Sequence, residues 1–137
     1  MKRRHKLRKQ SKQPISRLQR KIWQLIKIIV RKRYPNKCYT CDQTGLSSSN
    51  LHSGHLWPKA ALGAYLKYDL RVIRVQCFRC NIHLGGNGAV FYQRMLKEIG
   101  PKEMEKLEKD RQVMVNAYEH YTKILAEYEN LSTVPEK

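Results

Sequence analysis

Apolar positions near the N-terminus recur at helical spacing. Ile15, Leu18, Ile22, Leu25, Ile26 and Ile29 form one stripe, and Arg17, Arg20, Lys21, Lys27 and Arg31 fall largely off it. The pattern predicts an amphipathic helix starting near Ser16, where Ser16 and Gln19 have capping-box spacing, and ending before Pro35-Asn36. Trp23 reads as a packing anchor, with base stacking as the alternative. Leu51 to Trp57 and Leu70 to Gln76 predict two short strands, the second alternating imperfectly with arginines. Residues 78–84 predict a helical turn, broken by Gly85-Gly86-Asn87-Gly88, a cluster without the spacing or lysine of a nucleotide-binding loop. A helix over Ala89 to Ile99 follows, with Val90, Phe91, Met95, Leu96 and Ile99 inward, stopped by Gly100 before Pro101. The last helix is predicted over 101–130. Leu107, Met114, Tyr118, Tyr121, Leu125 and Tyr128 recur there with a period near 3.5, interrupted by Arg111. That period suits either a helix folded back on its own core or an intermolecular seam, and the seam would make a homodimer.

Length adds the domain plan. A chain of 137 residues fits one domain with appended arms: a basic, disordered tail over 1–13 and a single domain over 14–137. Within the domain lie a basic helix (14–35), a core (38–100) and a C-terminal helix (101–130). The net charge is +17, and residues 1–37 hold 15 of the 28 Lys and Arg with no acidic residue. Such a balance favours a polyanion, nucleic acid first and an anionic membrane surface second. The candidate DNA contacts are Arg3, Arg4, Lys6, Arg8, Lys9, Arg17, Arg20, Lys21, Lys27, Arg31, Lys32 and Arg33; the alternative is a solvated, solubilising tail. RNA fits the charge equally. Residues 22–30 are apolar but far shorter than the roughly 20 residues of a membrane span. No secretory signal is visible, and a cytoplasmic location is expected.

The chemistry is concentrated in the core. All four cysteines lie in two CxxC knuckles, Cys38-Tyr-Thr-Cys41 and Cys77-Phe-Arg-Cys80, the ligand set of a closed structural Zn²⁺ site in a reducing compartment. The spacer holds His52-Ser-Gly-His55, and Asn81-Ile-His83 follows the second knuckle. A strand ending in His55, a second strand and a helix opening near Asn81 is the order of a ββα-metal (HNH) nuclease site. Phosphodiester hydrolysis needs a base for water and a divalent ion for the phosphate and leaving oxygen. His55 suits the base, and Asn81 suits a ligand of Mg²⁺ or Mn²⁺. Two histidines three apart also suit completing a zinc site, so His52 has two readings.

The joint pattern CxxC, HxGH, QCxxCNxH, a Gly-Asn turn and a helix ending Ile99-Gly100 resembles the phage NinG (Rap) recombination proteins. Pro14 to Arg33 is similar to that family's basic helix with its tryptophan, and Leu66-Lys67-Tyr68-Asp69 resembles its Leu-Arg-Phe-Asn segment. The resemblance implies an α+β fold: a small zinc-knuckled HNH-like core with a basic N-terminal helix and a C-terminal helical arm. It implies a phage protein in the bacterial cytoplasm that cuts branched recombination intermediates, such as Holliday junctions and strand-invasion loops, with Mg²⁺ or Mn²⁺. It puts His55 at the general-base position and Asn81 at a metal-ligand position, and leaves His52 and His83 as candidate further ligands. The superfamily's usual acid before the base is Gly54 here. The family's Asn five before the second knuckle is Val72, and its His three before it is Arg74. The alternative function is a non-catalytic, zinc-dependent DNA-binding accessory protein.

Overall fold

The computed structural model describes residues 13–134. The basic tail expected over 1–13, with Arg3, Arg4, Lys6, Arg8 and Lys9, lies outside these residues apart from Gln13. Helix α1 runs Ile15–Arg33 and buries Leu18, Ile22, Ile26, Ile29 and Val30. Ile15 at the end of the predicted stripe is exposed. The capping box is not formed: Pro14 precedes the helix without a side-chain cap, and its carbonyl accepts from Arg17 and Leu18 instead. The helix stops because Tyr34 takes an extended conformation before Pro35, as the proline ring requires of its predecessor. Arg31, Lys32 and Arg33 in the last turn complement the helix dipole.

The fold is mixed α and β, with one two-stranded antiparallel sheet of β1 (His52–His55) and β2 (Ile73–Gln76). His52 pairs with Gln76, Ser53 with Val75, Gly54 with Arg74 and His55 with Ile73. Both strands are shorter than the alternation predicts. Asp69 shortens the second, because its carboxylate accepts from the Arg71 amide and turns residues 70–72 into a 3₁₀ turn. The connection between the strands carries the short helix α2 (Ala64–Lys67). The second knuckle runs into a π-helical turn, Arg79–His83, which includes Cys80. Gly85, Gly86 and Asn87 then all take positive φ, which reverses the chain into α3 (Gly88–Asp110).

The C-terminal region departs from the single predicted helix. The predicted stop at Gly100 is present as a non-helical kink (φ 84°, ψ 164°) inside α3, a conformation that glycine tolerates, and the helix after it ends early. The chain breaks after Asp110, and α4 (Ala117–Ser132) restarts under an Asn116 cap accepting from the Glu119 amide. The 3.5-residue seam is therefore not continuous: Met114 falls in the break and is 91% exposed. Of the inward positions predicted for α3, Phe91 and Met95 are buried, whereas Leu96 is exposed. Helix α4 packs along α1 and buries Tyr121, Ile124 and Tyr128. The Tyr128 hydroxyl donates to the Tyr68 carbonyl at 2.6 Å, and Lys32 Nζ donates to the Ser132 carbonyl. The fold-back reading is the arrangement found, and this face is spent within one chain.

That packing makes a direct prediction. Tyr121→Asp puts a carboxylate among α1, Tyr68 and α4, so it should lower unfolding free energy by about 3 kcal/mol or more. Urea denaturation checks it. Wild-type stability with an altered oligomeric state would show that Tyr121 faces another chain.

Candidate metal centre and histidine site

The two knuckles converge. Tyr39 N–H donates to the Val75 carbonyl at 2.8 Å, which docks the first knuckle on β2, and the second knuckle starts where β2 ends. The sulfurs of Cys38, Cys41, Cys77 and Cys80 all lie within 4.8 Å of one another, and Cys41 and Cys77 are 3.7 Å apart. A tetrahedral Zn²⁺ with bonds of about 2.3 Å sets its sulfurs about 3.8 Å apart, so the donor set fits zinc. Further groups face the sulfurs: Thr40 Oγ1 is 3.5 Å from Cys38 Sγ, the Cys80 amide donates to Cys77 Sγ at 3.4 Å, and Asn87 Nδ2 reaches Cys80 Sγ at 3.8 Å. Burial works against ionising Cys38, but the Thr40 hydroxyl and backbone hydrogen bonds outweigh it and hold the thiol at about 6. Burial pushes Cys41 up to about 12 and raises Cys80. A coordinated cation would favour the thiolate form of all four.

Gln76 entered the sequence reading only as the residue before the second knuckle, with no role assigned, yet it links this centre to its surroundings. It is fully buried, and its Nε2 donates to Thr40 Oγ1 at 3.0 Å and to the Gly86 carbonyl at 2.9 Å. Its Oε1 has no hydrogen-bond partner. A Cβ on Gly54 would sit 1.8 Å from that oxygen. A side chain at residue 54, an acid included, would require the Gln76 amide to move. The only forewarning in the sequence was a glutamine at the end of a short strand beside a cysteine.

The histidines separate into two environments. At the knuckle end of β1, His52 Nε2 lies 2.7 Å from the Ser49 carbonyl and therefore donates to it. Its Nδ1 is left to accept from Asn81 Nδ2 at 2.9 Å. This orients the Asn81 amide and leaves its Oδ1 outside this contact. Both nitrogens of His52 are engaged in this arrangement. Phe78 packs edge-on against both His52 and His83, at 5.6 and 5.1 Å between centroids. At the opposite end of β1, His55 Nε2 donates to the Lys67 carbonyl at 2.7 Å. The ring stacks on Trp23 at 5.5 Å, and Lys59 Nζ sits 3.9 Å over that indole. Burial, then the nearby Lys59 and Lys67 charges, lower His55 to about 4 against the pull of the Lys67 carbonyl. Its imidazole is neutral at physiological pH with Nδ1 carrying the lone pair. The turn after the π-helix passes close by, since a side chain at Gly86 would lie 3.6 Å from the His55 carbonyl.

Val72 is buried in the core, and bracing falls to Arg74. Its Nη1 donates to the Leu70, Arg71 and Ile73 carbonyls and its Nη2 pairs with Glu98 at 3.1 Å. Tyr34 and Tyr39 flank the guanidinium. On α1, Arg17, Arg20, Lys21, Arg31 and Arg33 are exposed, while Lys27 and Lys32 are half-buried. Among the described residues, the four cysteines are the one cluster of His, Cys, Asp or Glu arranged to hold a metal, and no helix is long and apolar enough to cross a membrane.

Comparison with known proteins gives one consistent result. The family model described as Bacteriophage Lambda NinG protein matches residues 1–136. Protein ninG of Salmonella phage P22 is 29% identical over 125 residues, covering 90% of this chain and 60% of that protein. The chain thus spans about 60% of the length of this curated relative. No solved structure matches.

The centre predicts about one tightly held zinc per chain, measured by metal analysis of purified protein. Cys77→Ser should lose that zinc and unfold cooperatively at lower temperature. Replacement of all four cysteines with full zinc retention would contradict the assignment.

Proposed function

This chain belongs to the bacteriophage Lambda NinG protein family, and we propose that it is a zinc-stabilised, divalent-metal-dependent endonuclease for branched DNA. The observation that carries the reading is the state of His55. A base that removes a proton from water must be neutral, oriented and open at one nitrogen. Donation to Lys67 fixes the tautomer, stacking on Trp23 fixes the ring, and burial keeps it unprotonated. The order of hairpin, turn and helix around it supports an HNH-like core.

In this mechanism the basic face of α1, led by Arg17, Arg20 and Lys21, holds the phosphate backbone by charge. His55 Nδ1 takes the proton of the attacking water. Asn81 Oδ1, oriented by His52 at the opposite end of β1 from His55, would hold Mg²⁺ or Mn²⁺, and the DNA would have to span both ends of the strand. A bound ion of that kind stabilises the charge that develops on the phosphate and the leaving oxygen. Asn81 would be a neutral ligand and residue 54 offers none, so most of the anionic charge around such an ion would come from DNA phosphates. His83, exposed beside Phe78, is the remaining imidazole of this end. A four-way junction presents two symmetric strands, so paired cutting calls for two copies of the chain, meeting through a surface other than the buried face of α4.

One observation favours a second reading, a non-catalytic zinc-dependent DNA-binding recombination protein. The place of the usual acid is closed by Gln76 Oε1 against Gly54, and no acidic cluster accompanies His55. The test is His55→Ala on a four-way junction with Mg²⁺. The nuclease reading expects a fall of about 10²–10⁴ in cleavage rate with junction affinity retained. It also expects no loss of wild-type rate from His55 protonation as pH falls from 7 to about 5, because the histidine charges only near 4. The depressed value has a stability consequence. The unfolded chain binds this proton first, so stability is lost as pH drops from about 6.5 to about 4. Wild-type cleavage by His55→Ala would refute the base assignment.

A further inference from the structure

The segment that carries Asn81 turns an unusual amount of apolar surface outward. Phe78 is 42% exposed, Ile82 53% and Leu84 44%, all in or beside the π-helical turn that the second knuckle runs into. Phe78 lies between Cys77 and Cys80, whose sulfurs join the four-cysteine cluster, so its backbone is not free to fold the ring inward. The ring is also held in place. Its own N–H donates to Asn50 Oδ1 at 2.9 Å, and His52 and His83 meet it edge-on, both at 79° between planes. His52 is the residue that orients Asn81. A rigid aromatic ring thus borders the candidate ligand, with exposed Arg79 next in sequence.

The occupant must match both an apolar patch and a chain with a net charge of +17. Nucleobases on an anionic backbone match both, whereas an apolar protein face matches only the first. Fully paired duplex hides its base faces. Gaps, branch points and splayed strands expose them, and such bases stack on aromatic side chains or yield to apolar wedges. We propose that Phe78, supported by Ile82, is a stacking platform for an unpaired DNA base, so that a strand leaving a branch is laid across Asn81. The proposal rests on the branched-DNA reading above and gives that reading a means of telling branched from linear duplex.

The test is equilibrium binding without added divalent ion, so it does not depend on cleavage. Three probes of matched sequence are used: a duplex with a short single-stranded gap, the same gap made abasic, and the continuous duplex. Phe78→Ala should lose about 5- to 100-fold in affinity for the gap with bases, and bind the abasic gap and continuous duplex as wild type does. Phe78→Trp should retain binding to the gap. Zinc content and thermal unfolding establish that each variant is folded. Equal binding of all three probes by Phe78→Ala and wild type overturns the proposal and leaves the ring to a protein partner. An equal loss on all three probes also overturns it, since the ring then acts through the fold. A wild type that shows the base-dependent preference yet cuts no branched DNA would sink the nuclease reading and leave the platform standing.

Discussion

Four sulfurs gathered within 4.8 Å of one another hold the rest of the architecture in place. The sheet has only two strands of four residues each, and a hairpin of that size is marginal alone. The knuckles fasten both its neighbours to it: the loop after α1 and the turn that leads to α3. From Cys38 a line of polar contacts runs through Thr40 to the Gln76 amide and on to the Gly86 carbonyl. The metal centre is thereby connected to the glycine turn that approaches the backbone of His55. An ion bound by the four sulfurs would tighten the hairpin and the histidines at both its ends.

The two ends of β1 are chemically distinct. His52 works in a polar network with Ser49 and Asn81, and its role is to orient an amide. His55 works in an aromatic and cationic surrounding, where burial and two lysines keep it neutral. Neither arrangement involves a carboxylate. In a chain so cationic, the proposed DNA substrate would provide charge balance through its phosphates.

Much of this was legible in the sequence because it depends on spacing. Two CxxC pairs announce one cluster of four thiols able to hold a metal, and the stripe from Leu18 to Ile29 announces the buried face of α1. What escaped depends on contacts between distant residues. The capping box at Ser16 lost to Pro14, which already ends the preceding chain. The break between Asp110 and Asn116 divided a periodic stretch that read as one helix, since a repeat through Met114 carries no sign of a break in the backbone. The partnership of Gly54 with Gln76 was invisible, because it arises only when antiparallel register sets residue 76 opposite 52 and the glutamine side chain fills the space beside the glycine. The bracing by Arg74 was likewise hidden, as an arginine in a strand reads as solvent-facing until Tyr34, Tyr39 and Glu98 close around it.

The central claim is that a hairpin built on a zinc centre presents a neutral histidine to cut branched DNA. Its most direct test is incubation of the zinc-loaded wild-type chain with a four-way junction and with linear duplex of the same sequence, with and without Mg²⁺. The account predicts strand cleavage at the junction that requires Mg²⁺ and is far slower on the linear duplex. Tight, zinc-dependent binding of the junction with no cleavage under Mg²⁺ or Mn²⁺ would contradict it.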